Sequence, residues 1–289
     1  MARIEVNGIG LAYEILGEGP RRVVITPGGR YSKDAEGVWA LGEKLAEGGC
    51  RVLMWDRPNC GEADLCFEGE SESLLSAGAL AGLMTALDFG PALLVGGSAG
   101  SRVSLLSAVR SPELAKGLFL FWISGGPIGV TATAMHYCAV SGIAAARGGM
   151  PAVAELAIFE EPLRRNPDNR ERLLGLDPEE FIAAMQRWVA AFIPDPRSPM
   201  PALQPEEIAR LKLPVMVLRS GASDVHHPRA TSEAVQRMIP GAEIADPPWS
   251  DREWHERVAE RDAKGVGLFT RWPLLAPDVL KFAERVWSG

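Results

Sequence analysis

Two kinds of hydrophobic pattern alternate along most of the chain. Short, uninterrupted apolar runs are typical of strands buried on both faces of a parallel sheet. Such runs cover residues 23–25, 52–55, 93–95, 118–122 and 215–218. Between them, apolar residues recur at helical spacing, as at Leu80, Leu83, Met84 and Leu87. The alternation predicts βαβ units with right-handed crossovers, and therefore an α/β fold.

The two ends of the chain extend this pattern. Apolar residues on either side of Asn7 and Gly8 predict a β-hairpin, because this dipeptide favours a tight two-residue turn. Near the C-terminus, residues 241–245 predict a last strand. Val279, Phe282 and Val286 then lie on one face of a predicted closing helix.

The alternation stops after Ser124 and resumes after Arg210, an interval too long for a single crossover. Within it, Asp177 followed by Pro178 is typical of a helix N-terminus. Several prolines between 194 and 205 indicate an extended return to the sheet. We therefore predict a core formed by residues 1–124 and 211–289, with a helical cap inserted at 125–210.

Composition and charge limit the class of protein. Of 289 residues, 47% are hydrophobic and 23% are charged, which is typical of a globular protein. The net charge of -7 leaves no broad basic surface, so we expect neither a nucleic-acid nor a membrane partner. The uncharged stretch 117–146 is interrupted by glycines and a proline, which disfavours a membrane span. The N-terminal residues lack the apolar segment of a signal peptide, so we expect a cytoplasmic protein. A homodimer is possible on this sequence.

The candidate nucleophile follows the central apolar run. Residues 93–95 lead directly into Gly96-Gly97-Ser98-Ala99-Gly100, and a helical pattern follows. This is the GxSxG motif in a strand-turn-helix context, which exposes a serine hydroxyl at a helix N-terminus. There the Ala99 N–H could stabilise the oxyanion that forms when Ser98 attacks a carbonyl. The alternative is a glycine-rich packing turn.

With this motif the chain resembles the α/β-hydrolase superfamily, in the serine-nucleophile branch with a helical cap. The resemblance implies a mostly parallel central sheet with helices on both faces. It also implies an oxyanion loop after the first parallel strand. Residues 26–30 occupy that position, where Gly29 would donate its N–H and Pro27 replaces the usual histidine. Residues 56–61 are similar to another loop of the family and are predicted to be a structural turn near the site.

The resemblance also implies an acid and a base. Asp224, after the apolar run 215–218, matches the acid, although an Asx-turn or a helix cap would equally explain it. The family's Gly-His dipeptide after the last strand is absent. His255 preserves the order serine, acid, histidine, so we predict it as the base, with a surface helix histidine as the alternative. His226 and His227 are alternative bases because they closely follow Asp224.

Predicted substrate contacts come from the oxyanion loop, the end of the strand before the cap, and the cap. They are Arg30, Trp122, His136, Tyr137 and Trp188. Each aromatic residue could equally be packing between cap and core. The histidines and cysteines show no metal-ligand spacing, so we expect neither a metal nor a cofactor.

These residues predict a serine hydrolase acting on a small, largely apolar carbonyl substrate. Within the superfamily, an ester, a lactone or a carbon–carbon bond hydrolase is implied, whereas epoxide hydrolases and haloalkane dehalogenases carry aspartate where this chain has Ser98. Two other classes stay open: a retired enzyme that acts as a ligand receptor, and a non-hydrolytic lyase. The sequence predicts that His255→Ala, and not His227→Ala, abolishes ester turnover.

Overall fold

Eight strands form one sheet in the computed structural model, which describes residues 2–193, 197–198 and 200–288. The strands are β1 Ala2–Val6, β2 Ile9–Leu16, β3 Arg21–Thr26, β4 Cys50–Trp55, β5 Ala92–Gly97, β6 Ala115–Phe121, β7 Val215–Leu218 and β8 Glu243–Ala245. Their order across the sheet is β1-β2-β4-β3-β5-β6-β7-β8. Every pair from β4 to β8 is parallel, while β2 is antiparallel to both of its neighbours. The predicted α/β fold with a mostly parallel sheet is confirmed.

The N-terminal hairpin turns where the sequence predicts. Asn7 has φ 52° and Gly8 has φ 77°, the left-handed geometry that a tight hairpin turn requires. The apolar runs that predict buried strands are the central strands β3 to β7. Because helices cover both faces of these strands, both sets of alternating side chains are buried, which explains the continuous apolar runs.

Twelve α-helices are formed by the described residues. They are α1 Glu36–Glu47, α2 Glu72–Ala86, α3 Ala99–Arg110, α4 Pro127–Ala134, α5 Val140–Ala154, α6 Ala157–Arg165, α7 Asp168–Leu174, α8 Pro178–Ala191, α9 Pro205–Ile208, α10 Arg229–Met238, α11 Glu253–Lys264 and α12 Ala276–Ser288. One core contains residues of α2, α3 and α10, and the other contains residues of α1 and α12. Side chains of β5 alternate between them: Leu94 belongs to the first core, and Leu93 and Val95 to the second.

Helices α4 to α8 lie between β6 and β7, and we call them the cap. They share a separate apolar cluster that includes Phe159, Phe181 and Trp188. Helix α8 begins as its sequence predicts, because the Asp177 carboxylate accepts hydrogen bonds from the N–H groups of Glu179 and Glu180 at 2.9 and 3.0 Å. Of the proline-rich return predicted after the cap, Pro194, Pro196 and Pro199 lie outside the described residues.

By length and composition alone, the cap segment Pro127–Arg165 could cross a membrane, with a mean hydropathy of 1.3 in its most apolar window. Its backbone leaves helical geometry at Gly148 and Gly149, which divides α5. Buried residues of α5 pack with those of α8 in the apolar cluster of the cap. Packing in the cap accounts for part of the apolar character of this segment, since 33% of that window is buried.

Candidate active site

Ser98 lies at the sharp turn between β5 and α3. Its backbone has φ 57° and ψ -121°, a strained conformation for a residue with a side chain. The strand ends at Gly97 and the helix begins at Ala99, so the serine stands at the N-terminus of α3. This turn is the strand-turn-helix arrangement that the GxSxG motif predicts.

The glycines around Ser98 allow the backbones to approach closely. A Cβ atom on Gly100 would lie 2.0 Å from the carbonyl oxygen of Thr26, and one on Gly96 would lie 2.3 Å from the carbonyl oxygen of Gly100. A Cβ on Gly28 would lie 2.9 Å from the Cβ of Ser98. Real side chains cannot occupy these positions without moving the backbone. The glycines therefore hold the oxyanion loop, the strand and the helix around the serine.

A carboxylate, an imidazole and the serine hydroxyl form a continuous hydrogen-bonded chain. Asp224 Oδ2 lies 2.9 Å from His227 Nδ1, and His227 Nε2 lies 2.9 Å from Ser98 Oγ. The ionised carboxylate favours the tautomer in which Nδ1 carries the proton, leaving Nε2 to accept the serine proton. Ser98 thus has a base within reach, and the base has an orienting acid.

The loop after β7 explains how two residues so close in sequence can face each other. The backbone N–H groups of His226 and His227 both donate to Asp224 Oδ1 at 2.9 Å. This is an Asx-turn, and it wraps the backbone around the carboxylate. The second oxygen of Asp224 remains available for the ring of His227. Asp224 therefore forms the Asx-turn with one oxygen and orients His227 with the other. Sequence reasoning treats these two roles as alternatives, and the structure combines them.

Two tryptophans hold the imidazole of His227 in place. The ring of Trp122 is stacked on it, with centroids 5.9 Å apart and planes inclined by 20°. Trp254 contacts it edge-on at 4.7 Å. His227 is only 2% exposed and Asp224 only 5%. The two tryptophans therefore restrict the ring, and water is largely excluded from its bond to the carboxylate.

The charges around Asp224 keep its carboxylate ionised. Burial by itself would raise the pKa of Asp224, but the charge of His227 and the hydrogen bonds from His227 and His226 outweigh it and lower the pKa below its ordinary value. The pKa of His226 is also lowered, first by burial and then by the neighbouring His227. For a histidine, a lowered pKa favours the neutral form. His226 is thus a neutral side chain at neutral pH.

The structure does not bring His255 to Ser98, which corrects its predicted placement. His255 lies in the first turn of α11, is exposed, and donates from Nε2 to the carbonyl oxygen of Ser223 at 2.9 Å. Trp254, one residue earlier, faces the site instead. Successive helical residues point about 100° apart, so only one of the two can face inward. The imidazole that reaches Ser98 is His227.

Gly29 and Ala99, the two predicted oxyanion-hole residues, lie close to Ser98. Both residues line the same cavity as the serine, and neither amide donates to another residue among those described. The neighbouring loop supports this geometry, because Arg57 donates to the carbonyl oxygen of Gly29 and lies 3.5 Å from that of Gly28. The loop resembling a family turn at 56–61 is therefore a brace for the oxyanion loop.

Core and cap enclose a cavity of about 390 Å³ over Ser98. Trp122 and Ser124 line it from the core, and His136 and Tyr137 from the cap. The two cap residues lie in a single π-helical turn, Met135–Ala139, a local irregularity that is frequent at functional sites. Burial lowers the pKa of His136, with a further contribution from Arg30, and burial raises the pKa of Tyr137 to about 12. Both side chains are neutral at neutral pH.

Two predicted substrate contacts do not line this cavity. Arg30 is buried beside it, where Nε donates to Glu72 at 2.8 Å and the guanidinium lies 5.0 Å from the centroid of the Tyr137 ring. Trp188 lies within the apolar cluster of the cap and donates to the carbonyl oxygen of Gly69 at 3.2 Å. Since neither side chain lines the cavity over Ser98, their predicted role as substrate contacts is corrected.

The cavity also has lining residues that sequence reasoning missed. Among them, Arg102 carried a usable signal, because it follows Ser98 by four positions and such residues share one helix face. Trp254 and Phe269 carried none, since they reach the cavity only through the path of α11 and the segment after it. Larger depressions of about 590 and 540 Å³ exist elsewhere, and no described histidine lines either. No three metal-ligating side chains are grouped in the described part of the chain.

A doubly covered parallel sheet, a strained serine turn and a serine-histidine-aspartate chain together define the class of α/β-hydrolase proteins. The comparison with family models agrees: residues 23–280 match the alpha/beta hydrolase family. The chain belongs to that family. The predicted resemblance is thus confirmed, and so, at the level of the family, is the expectation of a hydrolase.

Individual relatives are more distant. Over 101 residues the chain is 31% identical to a 2-hydroxy-6-oxo-6-phenylhexa-2,4-dienoate hydrolase from Comamonas testosteroni, and this match covers only 35% of either protein. The enol-lactonase from Burkholderia xenovorans LB400 superposes over the full length of both chains with TM-score 0.59 and 20% identity. A putative lipase from Acinetobacter baumannii AYE gives TM-score 0.63 at 16% identity, covering 99% of this chain and 91% of its own. At such identities the structural matches establish the fold.

Proposed function

We propose that the protein is a serine hydrolase that cleaves a small, largely apolar carbonyl substrate such as an ester or a lactone. The single observation that carries this proposal is the chain from Asp224 through His227 to Ser98, with both hydrogen bonds at 2.9 Å. A nucleophile within hydrogen-bond reach of an oriented base is the arrangement that nucleophilic catalysis requires. Hydrolases among the similar proteins support the same reaction class.

In the proposed reaction, His227 Nε2 takes the proton of Ser98 as its oxygen attacks the substrate carbonyl. The N–H groups of Gly29 and Ala99 stabilise the tetrahedral oxyanion. His227 then gives its proton to the leaving oxygen, the bond to the leaving group breaks, and an acyl-enzyme remains. Water, deprotonated by His227, then attacks the acyl-enzyme. The bond from the acyl carbon to Ser98 Oγ breaks, His227 returns the proton to Oγ, and the carboxylic acid is released.

Asp224 stabilises the imidazolium that forms at His227 in both steps. Its lowered pKa supports this role, because an acid that orients a base must stay ionised while the base gains a proton. Trp122 and Trp254 keep the ring from rotating away between the two steps. The complete chain of three residues favours a working enzyme over the receptor alternative.

A fluorophosphonate probe tests the proposal, since it reacts only with an activated serine. We expect stoichiometric labelling of the native protein and none of Ser98→Ala, together with a loss of about 1,000-fold or more in the hydrolysis of a p-nitrophenyl ester. Ser107→Ala is the matched control, because Ser107 lies on the same helix and its buried hydroxyl has no described hydrogen-bond partner.

Two outcomes would contradict the proposal. A folded native protein that resists the probe would point to a ligand receptor. Labelling at Ser98 without turnover of esters, lactones or carbon–carbon substrates would point to a non-hydrolytic lyase on the same fold.

A further inference from the structure

Arg102 is a buried cation on the wall of the cavity that contains Ser98. It lies in α3 and is only 3% exposed. Its Nε donates to Ser73 Oγ and its Nη1 donates to Ser124 Oγ, each at 2.7 Å. Both partners are neutral hydroxyl groups. The third nitrogen, Nη2, has no hydrogen-bond partner among the described residues.

Glu72, the carboxylate near Arg102, already forms an ion pair with another arginine. Glu72 accepts a hydrogen bond from Arg30 Nε at 2.8 Å and forms a buried ion pair with it. Arg57, also buried, donates to backbone carbonyl oxygens. Of these three buried guanidinium groups, only that of Arg30 forms an ion pair with Glu72, and no ion pair links Arg102 to a described carboxylate.

The burial of Arg102 without a paired carboxylate affects its pKa. Desolvation by burial lowers the pKa of Arg102 to about 10; the negative charge of Glu72 offsets only part of that, and the positive charge of Arg57 adds to it. A buried charge without a counterion is costly, and proteins normally pair it. The free enzyme lacks that partner among its described residues, so the natural partner is a group that enters the cavity.

We propose that Arg102 binds a carboxylate of the substrate, so that the protein acts on esters or lactones that carry a free carboxylate. This inference rests on the proposed function. A planar guanidinium matches a carboxylate in a bidentate geometry. Ser124, which accepts from Arg102 and also lines the cavity, has its own hydroxyl proton available for the same anion.

The helix sets the relation between this anion site and the reacting carbonyl. Ser98 immediately precedes α3, and Arg102 follows it by four residues, which corresponds to about one helical turn, a rise of about 5.4 Å. Both side chains line one cavity of about 390 Å³. The carboxylate and the scissile carbonyl therefore belong to one small molecule and are joined by a short chain. Half-esters of dicarboxylic acids have this chemistry.

A structural role for Arg102 makes a different prediction. Its guanidinium lies 5.1 Å from the centroid of the Phe192 ring, and its serine partners belong to α2 and to the segment after β6. A residue that only joins these elements would affect stability and all substrates equally. A substrate anchor affects charged substrates selectively.

The first experiment compares two charged substrates, mono-p-nitrophenyl glutarate and mono-p-nitrophenyl adipate, with two neutral ones. In the neutral substrates the p-nitrophenyl ester is kept and the free carboxylate is converted to its methyl ester. We expect the native protein to prefer the charged esters in kcat/KM. In Arg102→Met, the ratio of kcat/KM for the charged esters to that for the neutral esters should fall by about 30- to 1,000-fold, mainly through KM of the charged esters. Arg102→Lys, which retains the charge, should keep part of the preference. Arg110→Met is the matched control, an exposed arginine at the end of the same helix.

The second experiment measures binding without turnover. Glutarate is titrated calorimetrically into native protein, Ser98→Ala and Arg102→Met, and we expect binding to the first two and its loss in the third. Because this assay needs no chemistry, it remains readable if the proposed hydrolase activity fails. Equal kcat/KM for charged and neutral esters, glutarate binding unchanged in Arg102→Met, or inorganic phosphate binding as tightly as glutarate would each overturn the carboxylate site.

Discussion

Asp224 combines a local turn with a long-range contact. One oxygen accepts two backbone N–H groups of its own loop, and the other accepts the ring proton of His227, which in turn reaches Ser98. The loop after β7 therefore supplies both the acid and the base. In the arrangement that the family resemblance implies, the base follows the last strand, and there this chain places Trp254 against the imidazole.

At the scale of single residues, the structure reverses the order of effect that the sequence predicts for two histidine variants. His227→Ala, and not His255→Ala, should cause the larger loss of turnover. His227→Ala should lower kcat for a p-nitrophenyl ester by about 1,000-fold or more, because Ser98 loses its only described base partner. His255→Ala should change kcat by less than about threefold, because that ring is exposed and bonds a carbonyl oxygen. Steady-state kinetics on both variants decides, and equal losses would show that His255 has a role this geometry does not contain.

The turn between β5 and α3 is the element on which the site depends. It holds Ser98 in strained geometry, and its glycines permit contact with β3 that a larger residue would prevent. Strain of this kind persists only when the surrounding structure over-determines it. The central strands and α3 supply that surrounding structure, since most of their residues are buried.

Gly100→Ala tests this element. The new Cβ would meet the carbonyl oxygen of Thr26 at 2.0 Å, so α3 must move, and we expect a loss of about 1–3 kcal/mol in the free energy of unfolding together with reduced turnover. Gly78→Ala in α2 is the control, because nothing lies within 4 Å of its Cβ position. Alanine should stabilise that helix by about 0.5–1 kcal/mol. Chemical denaturation measures both changes; a neutral Gly100→Ala would refute the tight fit.

At the scale of the whole molecule, the cap is held to the core by buried polar contacts. Asn169 of α7 is fully buried; its Oδ1 accepts from the N–H of Leu65 at 2.9 Å, and its Nδ2 donates to the carbonyl oxygen of Ala63 at 3.0 Å. Arg165 of α6 adds an ion pair with Asp34, whose pKa its hydrogen bonds lower to about 2. These contacts help to position the cap over the core.

Asn169→Ala should therefore destabilise the whole protein. It leaves a buried N–H and a buried carbonyl without partners, at a cost of about 2–3 kcal/mol. For a chain of this size we expect Tm to fall by about 4–12 °C in calorimetry. Arg170→Ala, on the same helix, removes only an exposed ion pair with Glu155 and should leave Tm within about 1–2 °C. An unchanged Tm for Asn169→Ala would show that the cap docks by other contacts.

Most of the fold was predictable because its signals are local. Continuous apolar runs, the Asn7-Gly8 turn and the Asp177 cap each depend on residues near in sequence, and the structure contains all three. The strand-turn-helix context of Ser98 is local in the same sense. Arg30 and Trp188 were misplaced because their contacts, Glu72 and Gly69, are distant in the chain.

The sequence by itself determined the sheet and the position of the serine turn, since hydrophobic period and turn chemistry act over a few residues. Tertiary structure alone decided which of the four histidines reaches Ser98. An imidazole becomes a partner of Ser98 through the path of its loop and the rings packed on it, as Trp122 and Trp254 are packed on His227. It also decided that Arg102 is buried without a carboxylate, because the charge balance of an interior depends on what folding brings together.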